Sequence, residues 1–184
     1  DTEILLHLLA KSPSDHLVSA LLDSLNNLVG AYSFTILAHD RLLAVRDPYG
    51  FRPLVLGEII SDNSTSYVFA SETCALDLIG AQFVREVAPG EIIEITEEGL
   101  KTYQIRTENS EKQRIAQCVF EHVYFARPDS VVFGKSVYNS RKRFGEQLAI
   151  ESGVEADVVI PVPDSGVPSA IGYSQKSGIP FEFG

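Results

Sequence analysis

The sequence predicts an α+β half followed by an α/β half, and three features carry that reading. Two leucine-striped helical segments come first. From Ala31 to Gln104 the apolar period then shifts from helical spacing to alternation, through a series of short runs. Near the far end, Asp157 to Gly172 (DVVIPVPDSGVPSAIG) reads as a β-branched strand, a small polar loop and the start of a helix. Between the halves, Arg106 to Gln117 is polar and charged, the composition of a linker. The division is therefore drawn as one domain over 1–110 and the beginning of another over 111–184.

The first helix runs from Asp1 to Ala10, with Asp1 or Thr2 as cap and Ile4, Leu5, Leu8 and Leu9 as its apolar stripe. Ser12-Pro13-Ser14-Asp15 opens the second, with Ser12 as cap and Pro13 at the first helical position. Leu17, Leu21, Leu25 and Leu28 line its inner face, and Gly30 closes it. A hairpin follows, turning at His39-Asp40, and then a proline-glycine turn over Asp47-Pro48-Tyr49-Gly50. Short strands are expected at 54–56, 67–70, 83–87, 92–95 and 100–104, interrupted by a helix over Thr73–Ile79. Two helices and an antiparallel meander fit a sheet-on-sheet sandwich with helices outside. Beyond the linker, Cys118 to Phe125 alternates and is aromatic, so it is read as a strand closed by the turn Arg127-Pro128-Asp129-Ser130. A helix over Ser136–Ser152 puts Val137, Phe144, Leu148 and Ala149 inward and leaves Arg141, Lys142 and Arg143 in water.

The rest of the chain is read against the 157–172 stretch. Val158, Val159 and Ile160 make a strand of the kind buried on both faces, and Pro161 and Pro163 end it. The helix after Asp164-Ser165-Gly166 stops at Gly178 and Pro180. A strand, a small-residue loop and a helix N-terminus aim backbone amides at one point, which makes an anion pocket. On the loop alone, an ordinary βα turn is the better account of Ser165 and Gly166. The stretch has neither a P-loop lysine nor the glycines of a dinucleotide fingerprint.

Composition narrows the partners. A net charge of −10 argues against nucleic acid and anionic membranes. No apolar run approaches the roughly 20 residues of a membrane span. Two cysteines, Cys74 and Cys118, give no disulfide framework and suit a reducing compartment, cytoplasmic or stromal. Cys74 lies in a small apolar helix, where burial would raise its pKa and keep it inert. Arg46, Asp47, Arg52 and Glu72 are read as structural, since no nucleophile accompanies them. His7 and His16 have no partner at ligand spacing.

VEADVVIPVPDSGVPSAIGY, with CVFEHVYFARPDS upstream, resembles the amidophosphoribosyltransferases over nearly the whole chain. VRDPYGFRPLVLG and YVFASETCALD resemble the class II glutamine amidotransferases. The resemblance implies the C-terminal part of a four-layer αββα (Ntn-hydrolase) glutaminase domain, then the beginning of a type I phosphoribosyltransferase domain with a parallel sheet. It implies an internal piece of an enzyme that uses glutamine-derived ammonia to turn phosphoribosyl pyrophosphate into 5-phosphoribosylamine, the first committed step of de novo purine synthesis. Such an enzyme is a pentosyltransferase. Its nucleophile is an N-terminal cysteine that this chain lacks, so the segment itself is expected to be inactive.

By the same resemblance, Asp1 holds the amino group of glutamine, and Asp164, Ser165 and Gly166 face the pyrophosphate. Ser165 takes a place assigned to Mg2+. Tyr124 takes a place that passes information between the two active sites, the alternative being an aromatic packed at the domain interface. Cys118 takes the place of a [4Fe–4S] ligand found in some members, the other three thiolates lying past Gly184; the alternative is a small buried hydrophobe. The family also implies purine nucleotides as inhibitors and a homotetramer. Two other readings stay open: a non-catalytic phosphate-binding module, or another class II amidotransferase.

Overall fold

In the computed structural model, residues 2–62, 64–105 and 114–184 are described. The chain divides into two compact units, Asp1–Arg52 with Val87–Gln117 and Pro53–Glu86 with Cys118–Gly184. Each unit thus draws on two separate stretches of sequence, which a polar run such as 106–117 cannot signal. Most of that run, residues 106–113, lies outside the described residues.

In the first unit, helix α1 (Glu3–Lys11) and helix α2 (Leu17–Leu25) bury Leu5 from one and Val18, Ala20, Leu21 and Leu25 from the other. The cap expected at Ser12 is not formed. The amide of Ser14 donates to Ser12 Oγ at 3.3 Å and that of His16 to Ser14 Oγ at 3.2 Å. Serine hydroxyls that bond the backbone two residues ahead compete with a helical turn, so α2 starts only at Leu17. α2 also ends at Leu25, and Leu28 packs against the core from beyond it.

Seven strands follow the helices: β1 (Ser33–Leu37), β2 (Leu42–Arg46), β3 (Val55–Ser61), β4 (Ser64–Ala70), β5 (Gln82–Glu86), β6 (Glu91–Thr96) and β7 (Gly99–Gln104). All pairings between them are antiparallel. They do not form one meander. The sheet of the first unit has the order β1-β2-β6-β7, and β4-β3-β5 make a separate sheet in the second. Ala44 on β2 faces Ile93 on β6, so the chain leaves the first sheet, builds three strands and returns. Leu43, Val45 and Ile92 join Leu5, Leu21, Leu25 and Ile105 in one core, which packs the two helices on this sheet. Burial of each such side chain stabilises by about 1.5–3 kcal/mol.

The second unit packs helix α3 (Thr73–Leu78) through Leu76 against Val55 and Ala81. Cys118 to Phe125 is not a strand. Residues Glu121–Phe125 form a π-helical turn in which the amide of Ala126 donates to the carbonyl of Glu121 at 3.0 Å. Its burial inverts the expected pattern: Glu121 and His122 are inside, while Phe120, Val123, Tyr124 and Phe125 are exposed. A tight hairpin then pairs β8 (Val131–Val132) with β9 (Lys135–Ser136).

Helix α4 (Val137–Glu151) is capped by Ser136, whose hydroxyl accepts from the amide of Asn139 at 3.3 Å. Its buried residues are Val137, Arg141 and Gly145. Phe144 and Leu148, expected inside, are exposed, and Arg141, expected in water, is only 1% exposed. Helix α5 (Val167–Ser177) ends at Gly178, whose φ of 79° is the left-handed cap expected there. Gly145 and Gly172 explain the inverted face of α4. A Cβ on Gly145 would lie 1.8 Å from the carbonyl oxygen of Ser169, and one on Gly172 would lie 2.0 Å from that of Lys142. The two backbones touch, so the contact surface is set by the glycines rather than by the apolar stripe.

Candidate functional site

Val159 makes a parallel bridge to Phe181, its amide donating to the carbonyl of Pro180 at 2.8 Å and its carbonyl accepting from the amide of Glu182 at 3.1 Å. That pairing has the parallel sense expected of the 157–172 stretch. The expectation of burial on both faces does not hold, for Val158 and Ile160 are exposed in this chain. A turn over Pro163–Gly166 leads directly into α5, with Gly166 at the cap position and Pro168 in the first turn.

The loop is tight. The amide of Gly166 donates to the carbonyl of Val162 at 3.2 Å, and that of Val167 to the carbonyl of Asp164 at 3.3 Å. A Cβ on Gly166 would lie 2.6 Å from the Val162 oxygen, so the close return of the chain requires glycine here. Two of the expected cradle amides are therefore already engaged by the loop itself. Ser165 differs: among the described residues neither its amide nor its hydroxyl has a partner. Asp164 is exposed beside it. The loop thus offers one free amide, one free hydroxyl and one carboxylate at a helix N-terminus.

The other predicted site residues are placed apart. Asp1 lies outside the described residues. Tyr124 is 62% exposed on the π-helical turn, its ring edge-on to Phe125 with centroids 5.9 Å apart. Cys118 is half-buried before that turn, and Cys74 is buried. Burial pushes the Cys74 thiol above its ordinary pKa, as expected of an inert cysteine. Among the described residues no three His, Cys, Asp or Glu gather to hold a metal. With two cysteines, one of them buried, this chain's own residues do not fit a four-thiolate cluster; it can offer one accessible thiol.

Of the charged residues near the strands, Arg46, Asp47 and Glu72 hold backbone groups. Arg46 is 1% exposed and donates to the carbonyls of Arg52 at 2.9 Å, Val87 at 2.6 Å and Gly50 at 3.1 Å. Asp47 accepts from the amides of Tyr49 at 2.9 Å and Phe51 at 3.1 Å, holding the turn closed at Gly50. Burial nevertheless raises its pKa. Burial and then the Asp47 charge push Tyr32 up to about 12. Glu72 accepts from the amide of Arg127 at 2.7 Å and the hydroxyl of Ser130 at 2.9 Å, and so clamps the Arg127–Ser130 turn.

Sequence reasoning missed a further group. Arg141 donates from Nε to the carbonyl of His122 at 2.7 Å and from Nη2 to that of Ala126 at 2.8 Å. Its own carbonyl accepts from Ser169 Oγ at 3.0 Å. His122 is buried, and burial first, then Lys135 and Arg141, lower its pKa. Nothing in a run of three basic residues marks the one that points inward.

Comparison with known proteins places this geometry. The sequence model of the family described as "Glutamine amidotransferase domain" matches residues 1–78. Amidophosphoribosyltransferase 1, chloroplastic, of Arabidopsis thaliana is 52% identical over 184 residues, all of this chain and 31% of the relative. The amidophosphoribosyltransferase of Rhizobium etli is 50% identical over 186 residues, covering 100% of this chain and 36% of its own. Two solved structures, each 44% identical and covering 100% of this chain, superpose on it. The allosteric regulatory enzyme of purine biosynthesis does so with a TM-score of 0.90 over 38% of its length. Glutamine phosphoribosylpyrophosphate amidotransferase from B. subtilis, complexed with ADP and GMP, gives 0.89 over 39%. Over its whole length the chain is similar to amidophosphoribosyltransferases. It spans about a third of the length of the curated relatives it matches.

Proposed function

We propose that the protein to which this chain belongs transfers ammonia, released from glutamine, to C1 of phosphoribosyl pyrophosphate, giving 5-phosphoribosylamine and pyrophosphate. The observation that carries this reading is Ser165, unpartnered through both amide and hydroxyl at the start of α5, within a family whose relatives are named for the reaction. In this reading residues 1–110 are the back of the glutaminase domain with its layered αββα fold, and 111–184 open the phosphoribosyltransferase domain. The match of the glutamine amidotransferase model to residues 1–78 supports the first assignment, and the parallel Val159–Phe181 bridge, beyond the antiparallel β8–β9 pair, supports the second.

The chain's own part in the chemistry is binding and orientation. Ser165 donates from its amide and hydroxyl to the diphosphate, and the helix N-terminus favours the anion's charge. Gly166 lets the backbone turn closely enough for Ser165 to face outward. The donors also fit Mg2+: the Ser165 hydroxyl and the exposed Asp164 carboxylate are hard oxygens, and that ion keeps waters and substrate oxygens for its remaining positions. When bound, Mg2+ spreads the charge of the leaving pyrophosphate. Asp1 binds the ammonium of glutamine, and Tyr124 relays between the two sites. Cys118 supplies one thiolate if the whole protein holds an iron–sulfur cluster. The protein works as a homo-oligomer inhibited by purine nucleotides, in the cytoplasm or the plastid stroma.

Ser165→Ala in the full-length protein tests the assignment. Losing one hydrogen bond to a charged group, about 1.5–3 kcal/mol, predicts a KM for phosphoribosyl pyrophosphate raised roughly tenfold or more. The glutaminase activity measured alone stays unchanged. An unaltered KM removes Ser165 from the diphosphate site.

A further inference from the structure

Side chains at α3 and β5 reach far along the chain, past the polar run, to hold the turn that precedes α4. Oε2 of Glu72, the residue before α3, accepts from the amide of Arg127 at 2.7 Å and from Ser130 Oγ at 2.9 Å. Thr73 Oγ1 accepts from the amide of Val131 at 2.9 Å, and Glu86 Oε1 from that of Gly134 at 3.1 Å. Glu72 and Thr73 fall within residues 1–78, the part matched as a glutamine amidotransferase domain. The groups they hold lie 55 to 58 residues further on. Both pieces belong to the second unit.

The held turn is also where α4 begins. Ser130 is 1% exposed; its carbonyl accepts from the amide of Val137 at 3.0 Å, and that of Pro128 from the amide of Tyr138 at 3.0 Å. α4 then meets α5 backbone to backbone at Gly145 and Gly172, and α5 starts at the Ser165 loop. A carboxylate that accepts from an amide and a hydroxyl makes short, directional bonds. Those bonds fix where the turn sits, and close packing carries that placement along α4.

We propose that Glu72 is a positioning residue for the proposed reaction: by fixing the Arg127–Ser130 turn against α3, it holds the glutaminase part and the phosphoribosyl part in the arrangement that keeps released ammonia for synthesis. This rests on the proposed function and adds to it the residue that sets the alignment. The chemistry supplies the need. Hydrolysis of glutamine frees ammonia, and its nitrogen lone pair must attack C1 as the bond from C1 to the pyrophosphate oxygen breaks. Ammonia that escapes into water takes up a proton and loses that lone pair, so synthesis depends on the two parts staying aligned.

The test compares three rates in the full-length protein, all with magnesium phosphoribosyl pyrophosphate present: glutamate release from glutamine, pyrophosphate release with glutamine, and pyrophosphate release with ammonium chloride in its place. In Glu72→Ala, glutamate release and the ammonium-driven rate should stay near those of the wild type. The glutamine-driven release of pyrophosphate should fall about tenfold or more, the factor that one hydrogen bond to a charged group is worth. Glu72→Gln keeps an acceptor oxygen and should restore it. A merely structural Glu72 would lower the three rates together or none of them, and either result overturns the proposal. Should Glu72→Ala fail to fold, Ser130→Ala and Thr73→Val, each removing one of the bonds, are read the same way, and three rates moving together in both overturn it. A wild type that releases no pyrophosphate with glutamine or ammonium removes the proposed function, and this alignment with it. An active wild type beside a Glu72→Ala variant with unchanged glutamine-driven release removes the alignment alone.

Discussion

His122 shows how much a single buried group can decide. It sits inside with Glu121 beneath the aromatic turn, facing Lys135 and Arg141, and its folded pKa lies below the ordinary 6.5. The unfolded chain therefore binds the proton first as pH falls. The stability that neutral His122 contributes is intact above about 6.5 and is lost as pH drops through the folded value, by up to about 1.4 kcal/mol per pH unit between the two. Urea midpoints at pH 7.5 and 5.5 should show this loss in the wild type and a smaller one in His122→Gln. Equal losses in both would mean that His122 is not the group titrating. Its neighbour in sequence, Glu121, is as deeply buried, and the composition of EHVYF gives no hint of either. An alternating pattern says which side chains share a face, but it cannot say that the polar members face in.

Elements were legible where local chemistry dominates. The hairpin at His39-Asp40, the turn closed at Gly50 and the stop at Gly178 formed where turn and cap residues placed them. Elements went astray where distant packing overrode the pattern. α4 turns a glycine and an arginine inward because α5 lies against its backbone. That contact gives a sharp expectation. Helix propensity alone predicts that Gly145→Ala or Gly172→Ala stabilises by about 1 kcal/mol. The methyl would instead overlap a carbonyl oxygen at 1.8 or 2.0 Å, and overpacking of this kind costs about 1–3 kcal/mol or more. The steric cost is the larger, so both variants should melt lower than the wild type. A raised midpoint in either would show that the helices are not in backbone contact.

At the scale of the molecule, two thiols bound what the chain does alone. Cys74 is buried with its pKa raised, and its Sγ lies 3.8 Å from a Glu72 oxygen, a neighbour that disfavours the thiolate. Cys118 is half-buried and follows a long polar stretch, with no α-amino group of its own to act as base. The 184-residue chain should therefore release no ammonia from glutamine, measured by a coupled glutamate assay. Sustained release would place a nucleophile where neither cysteine provides one.

The sequence alone determined the family resemblance, the two leucine-striped helices, the approximate positions of β1 to β7 and the loop that leads from Ser165 into α5. All of these are local: they follow from side-chain periodicity, turn residues and short motifs read along the chain. Only the tertiary structure decided that β2 pairs with β6, that EHVYF coils, that Gly145 and Gly172 meet, and that Arg141 points inward. Those depend on which surfaces meet across long separations in the chain, and a linear pattern carries no record of the partner.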